Sequence, residues 1–138
     1  MQGFGAAART QRVKKGGPLG VLLVVDTAPL LLRMREVVEG MPSLRLAGAF
    51  RTDDQLQEWA MWDREGFHFA FVDMGLAEGR WGEAVRKLQS QPRAGSIVAL
   101  GPHLWKEVRE ANAAMGVYHL LEKGDIAAFR GFLEEQVR

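Results

Sequence analysis

From residue 20 onward, short apolar runs alternate with segments in which apolar side chains recur every three to four positions. Residues 21–25, 44–50, 68–72, 97–100 and 117–121 have strand length, and a stretch with helical spacing follows each one. The first helical stretch carries Leu30, Met34, Val37, Val38 and Met41 on one face, after Thr27 and Pro29, which suit a helix start. In the second, Thr52 and Gln55 form a capping-box pattern ahead of Leu56, Trp59 and Ala60. The third places Trp81, Ala84, Val85 and Leu88 inward. The fourth begins after Gly101 and Pro102 with Leu104, Val108, Ala111 and Met115. The fifth starts at Asp125, a natural N-cap, with a stripe of Ile126, Phe129, Leu133 and Val137.

Strict strand–helix alternation with short connections predicts a parallel sheet, because parallel neighbours need a crossover helix. Right-handed crossovers then put helices on both faces. Strands covered on both sides read as continuous apolar runs, as VLLVV, FAFV and IVAL do. The fold class is therefore α/β, doubly wound, a three-layer sandwich of five strand–helix units. In such sheets ligands bind beyond the C-terminal ends of the strands.

Composition sharpens this picture in two places. The 138-residue chain has a net charge of +1, but residues 1–20 hold Arg9, Arg12, Lys14 and Lys15 and no acid, so the remainder is net acidic. Residues 1–19 are expected to be a disordered basic arm and residues 20–138 the folded domain. The arm lacks the apolar stretch of a signal peptide, and no apolar run is long enough to span a membrane, so a cytoplasmic protein is expected. With no cysteine there is no disulfide, thiolate nucleophile or sulfur-ligated metal. His68, His103 and His119 lack metal-type spacing, and no phosphate-cradling glycine loop follows the first strand, which argues against a transition metal, a dinucleotide or a flavin.

Three charged residues fall at strand ends. Asp26 closes the first strand, Asp73 closes the third ahead of a glycine-containing loop, and Lys123 follows the fifth. Two carboxylates and an ammonium on one edge suit a hard divalent cation and a phosphoryl group: one Asp as nucleophile, a metal neutralising oxygens, a Lys stabilising the spreading charge. The bland reading of Asp26 is a helix cap.

Residues 21–26 with Pro29 and Leu30, FVDMGL at 71–76, SIVALG at 96–101 and GVYHLLEK at 116–123 resemble the landmarks of the receiver domain of two-component response regulators. The resemblance covers about residues 20–138. It implies a flavodoxin-like sheet of order 2-1-3-4-5, with Asp73 as phosphoacceptor, Asp26 and the Gly75 carbonyl as further Mg²⁺ ligands, and Lys123 as the phosphate-contacting lysine. Several positions depart from the family. Val25 replaces the first acid of the usual pair, Gly101 replaces the switch hydroxyl, Leu120 the switch aromatic, Gly124 the proline after the lysine, and Ala77 the proline of the loop after the phosphoacceptor.

The resemblance implies a receiver in a phosphorelay, taking a phosphoryl group from a histidine kinase or phosphotransfer protein with Mg²⁺ and acting on an effector by contact. No enzymatic turnover is expected beyond self-phosphorylation and self-dephosphorylation at Asp73. The alternative is a degenerate receiver that serves as a phosphorylation-independent adaptor, because the residues that commonly read out the phosphoryl group are missing. Trp105, off the stripe of the fourth helix, is a candidate contact anchor. With Arg109 and Phe132 it marks the helix 4–strand 5–helix 5 face as a partner or homodimer surface. The chain stops just after the fifth helix, so neither a DNA-binding domain nor direct nucleic-acid binding is expected.

Overall fold

A computed structural model describes residues 17–63, 65–103 and 105–138. Five strands, β1 (Leu19–Val24), β2 (Leu44–Phe50), β3 (Phe69–Asp73), β4 (Ser96–Gly101) and β5 (His119–Glu122), alternate with α1 (Ala28–Glu39), α2 (Asp53–Trp62), α3 (Trp81–Gln89), α4 (Lys106–Ala114) and α5 (Ile126–Val137). The strands form one parallel sheet in the order β2-β1-β3-β4-β5, the doubly wound, flavodoxin-like arrangement. Residues 1–16 of the predicted arm (1–19) lie outside the described residues, as do Arg64 and Leu104. No helix among the described residues is long and apolar enough to cross a membrane.

Each central strand feeds two cores. Leu19, Val21 and Leu23 of β1, with Val25 just after it, pack with Met34, Val37 and Val38 of α1 and Phe129 and Leu133 of α5. Leu22 and Val24 point the other way, to Leu56 of α2, Ala84, Val85 and Leu88 of α3, and Val117. This period-two division explains why both faces of the strand are apolar. Phe71 at the centre meets Phe129 and Phe132 edge-on at centroid distances of 4.8 and 5.6 Å.

Three details differ from the sequence expectation, each for a local reason. β1 starts at Leu19, two residues before the expected run at 21–25, because the Leu19 N–H donates to the Ser43 carbonyl at 2.9 Å. β5 starts at His119 rather than 117, since the Val117 N–H turns back to the Asn112 carbonyl at 2.9 Å instead of joining the sheet. In α4 the inward stripe is Val108, Asn112 and Met115. Ala111 is exposed, and Asn112 is the buried residue of that helix. Val108 and Met115 keep their expected places, and between them the position four residues after Val108, rather than three, turns inward.

The caps put the functional edge in place. The Thr52 hydroxyl accepts from the Gln55 N–H at 3.1 Å, and Gln55 Oε1 accepts from the Arg51 N–H at 2.8 Å, fixing the turn from β2 into α2. Asp125 accepts from the Ala128 N–H at 2.9 Å and starts α5 as expected. Thr27 precedes α1 but makes no side-chain cap; its hydroxyl donates to Asp26 instead.

Candidate functional site

Asp26 lies two residues past the end of β1, Asp73 ends β3 and Lys123 follows β5, so the topology carries all three to the C-terminal edge of the sheet. They meet there. Lys123 Nζ lies 2.8 Å from Asp73 Oδ2 and 3.2 Å from Asp26 Oδ1. The Asp73 side chain is 0% exposed, and its remaining contacts are backbone N–H groups: Gly75 donates to Oδ1 at 2.7 Å and Asp26 to Oδ2 at 3.2 Å. A buried carboxylate is tolerable only when so paired. The helix-cap reading of Asp26 does not hold, because Oδ1 receives Thr27 Oγ1 at 2.9 Å and Lys123.

The charge states follow from these contacts. For Asp26, partial desolvation acts to raise the pKa, but contacts with Asp73, the Thr27 hydroxyl and Lys123 outweigh it and hold the carboxyl below its usual value. For Lys123, desolvation acts to lower the pKa, and hydrogen bonds and charge from Asp73 and Asp26 overcome it, so the ammonium titrates above its usual range.

The donor set suits a hard divalent cation. Carboxylate oxygens of Asp26 and Asp73 and the backbone at Gly75 are all oxygen ligands, and the cradle has no room for a side chain. A Cβ at Gly75 would stand 3.1 Å from Asp73 Oδ1 and 3.7 Å from Lys123 Nζ. Among the described residues no group of three or more His, Cys, Asp or Glu side chains is gathered as a metal cage, so a cation here would keep several waters. Val25, where the family carries another acid, is fully buried in the core and brings no charge.

The altered positions have definite local consequences. At Gly101 the Met74 thioether occupies the neighbouring space: a Cβ would lie 3.0 Å from Met74 Sδ and 3.6 Å from Leu120 Cδ1. On its other side Met74 Sδ faces Asn112 Nδ2 at 3.8 Å, so the 2%-exposed Asn112 spends its amide on a weak sulfur acceptor. Tyr118 is exposed and lies before β5. Gly124 adopts φ +92°, a conformation closed to proline, so the chain leaves Lys123 by a path the family's usual residue could not take. In the loop after Asp73, Ala77–Gly79 form a 3₁₀ turn with Glu78 at φ 60°.

Among the surface candidates, Trp105 is 61% exposed and stacks on His103 at a centroid distance of 4.4 Å. Arg109 is exposed and lines an open groove of about 380 Å³ with Lys106, Asn112, Tyr118 and Leu120. Phe132 is a correction. It is partly buried, edge-on to Phe69, Phe71 and His119, and serves the core rather than a free contact face. Sequence reasoning missed Arg51, whose position at the end of β2 the strand-end rule would have flagged, and Asn112, which lies four residues after Val108 on the inward stripe.

The fold and strand-end trio define a doubly wound domain of receiver type. The sequence matches no protein-family model and no curated protein. Solved structures do match. The BeF3-activated receiver domain of Thermotoga maritima DrrB superposes with a TM-score of 0.69 at 16% identity, covering 87% of this chain and 97% of that one. CheY6 in the R. sphaeroides complex with the CheA3 P1 domain gives 0.70 at 14%, covering 88% and 98%. The regulatory domain of Klebsiella pneumoniae MrkE gives 0.70 at 12%, covering 86% and 95%. The chain has the fold of a response-regulator receiver domain.

Proposed function

We propose that this chain is a phosphorelay receiver in which Asp73 accepts a phosphoryl group. The observation that carries this reading is the contact of Lys123 with a fully buried Asp73 at 2.8 Å and with Asp26 at 3.2 Å, at the ligand-binding edge of the sheet. An Asp73 oxygen attacks phosphorus, the bond to the donor breaks, and Lys123 follows the oxygen charge onto the phosphoryl group. Mg²⁺ held by Asp26, Asp73 and the Gly75 carbonyl supplies charge neutralisation when bound. The Gly75 N–H, 2.7 Å from Asp73 Oδ1, orients the nucleophile. The donor is the phosphohistidine of a histidine kinase or phosphotransfer protein; the CheY6 neighbour, solved with the CheA3 P1 domain, is consistent with that class. Output is by protein contact through the α4–β5–α5 face, where Trp105 and Arg109 are exposed, in the cytoplasm.

A second reading is favoured by one observation. Gly101 offers no hydroxyl, and Met74 Sδ fills the space beside it, so a phosphoryl group would lack the side chain that commonly distinguishes two conformations. On that reading the domain is an adaptor that binds partners whether or not it is phosphorylated. Intact mass after incubation with Mg²⁺ and acetyl phosphate separates the two. One added phosphoryl group on the wild type, absent in Asp73→Asn, supports the receiver; an unmodified mass under small donors and a phosphorylated kinase alike leaves the adaptor.

A further inference from the structure

Arg51 stands at the C-terminal end of β2, beside the end of β1, and its placement is fixed twice. Gln55 Oε1 holds its backbone N–H at 2.8 Å, and its guanidinium Nε and Nη2 lie 3.4 and 3.3 Å from the Asp26 carbonyl oxygen. These contacts use two of the five guanidinium N–H donors. Among the described residues no carboxylate forms an ion pair with Arg51, whereas Lys123 pairs with both Asp26 and Asp73. The two cations come from opposite edges of the sheet, Arg51 from β2 and Lys123 after β5, with the carboxylates between them. Position 25 carries a buried valine and no charge. The result is a tethered guanidinium with donors to spare, on the edge over which ligands enter an open α/β sheet.

We infer that Arg51 is the donor-recognising cation of this site: its planar fork takes anionic oxygens of the incoming phosphoryl group, on the flank opposite Lys123. The inference rests on Asp73 as phosphoacceptor for its substrate. Arg51 makes and breaks no bond. It holds the phosphoryl group for attack by the Asp73 oxygen, so it acts on donor binding more than on the maximal rate.

Two measurements on the full chain in Mg²⁺ test this. Inorganic phosphate is titrated while the Arg51 Nε–H and Gly75 amide resonances are followed. A saturable shift is expected, with the Gly75 response absent in Arg51→Ala and partly kept in Arg51→Lys. The rate of Asp73 labelling is then measured against acetyl phosphate concentration. In Arg51→Ala the half-saturating concentration should rise about tenfold, the loss expected for one charge-assisted contact, with the maximal rate changed less than about threefold. Added salt should slow the wild type more than the variant. Equal half-saturation in the two proteins overturns the inference even if Asp73 is labelled. Arg51-dependent phosphate binding without any labelling leaves Arg51 as an anion site and removes Asp73 as acceptor. No phosphate response in the wild type, or the same Gly75 response in Arg51→Ala, overturns the inference where labelling is absent.

Discussion

Replacing Lys123 with methionine tests the electrostatics of the site without reference to phosphorylation. In the wild type the buried Asp73 carboxylate has one ammonium at 2.8 Å and N–H donors from Gly75 and Asp26. Deleting one partner of a buried pair costs about 3–5 kcal/mol, because the other charge stays buried. Two remaining N–H groups, and a Lys123 side chain 27% exposed, place this pair at the lower end, about 3 kcal/mol. With a urea slope of about 1.5 kcal/mol/M for a small domain, the midpoint falls by about 2 M. Asp73→Asn keeps one acceptor oxygen, turns an NH2 toward the site of the other N–H donor and leaves Lys123 beside Asp26, so it should cost about 1 kcal/mol. The double variant should then recover about 2 kcal/mol of the Lys123→Met loss. Urea unfolding of the four proteins decides it. A Lys123→Met loss below about 0.5 kcal/mol, or no recovery in the double variant, would show that the pair does not control the stability of this edge.

Other outcomes follow from particular contacts. His68 Nδ1 accepts from the Gly20 N–H at 2.7 Å, and desolvation together with the charge of Arg45 holds the ring below its usual pKa; His119 is lowered by desolvation alone. Both contribute stability that is present above about pH 6.5 and lost as pH falls through the lower folded values, so the melting temperature should drop from pH 7.5 to 5 and drop less in His68→Gln with His119→Phe. Gly75→Ala would place a Cβ 3.1 Å from Asp73 Oδ1; the labelling rate should fall about tenfold or more while stability changes by less than about 1.5 kcal/mol. Phe132→Ala should cost about 2–3 kcal/mol in urea unfolding because its ring packs on Phe69 and Phe71, whereas exposed Trp105→Ala should stay within about 1 kcal/mol.

The alternation of apolar runs and helical stripes was enough to read the whole sheet, since strands buried on both faces and short crossovers allow few other arrangements. The site trio was legible for the same reason: once strand ends are known, Asp26, Asp73 and Lys123 fall on one edge. What was not legible depends on side-chain direction and on small rotations. Phe132 sits on α5 one position before Leu133, and only the packing of β3 shows that its ring turns inward to Phe69 and Phe71. Asn112 broke the pattern because a polar residue on an apolar stripe reads as surface until its burial is known. Arg51 was passed over because composition treats an isolated arginine as solvated charge; its tether to the Asp26 carbonyl is a tertiary fact.

The sulfur beside Gly101 also ties two positions together. A serine introduced at 101 would bring its Cβ to 3.0 Å from Met74 Sδ, tighter than ordinary packing, while a smaller residue at 74 alone would open a void beside Asp73 and leave the Asn112 amide without its sulfur acceptor. A serine at 101 therefore needs the flexible Met74 side chain to give by a few tenths of an ångström, and that side chain is the one in contact with Asn112. Whether a hydroxyl fits at this strand end is thus set by the rotamer of Met74, so the space beside Gly101 and the environment of the buried Asn112 amide change together.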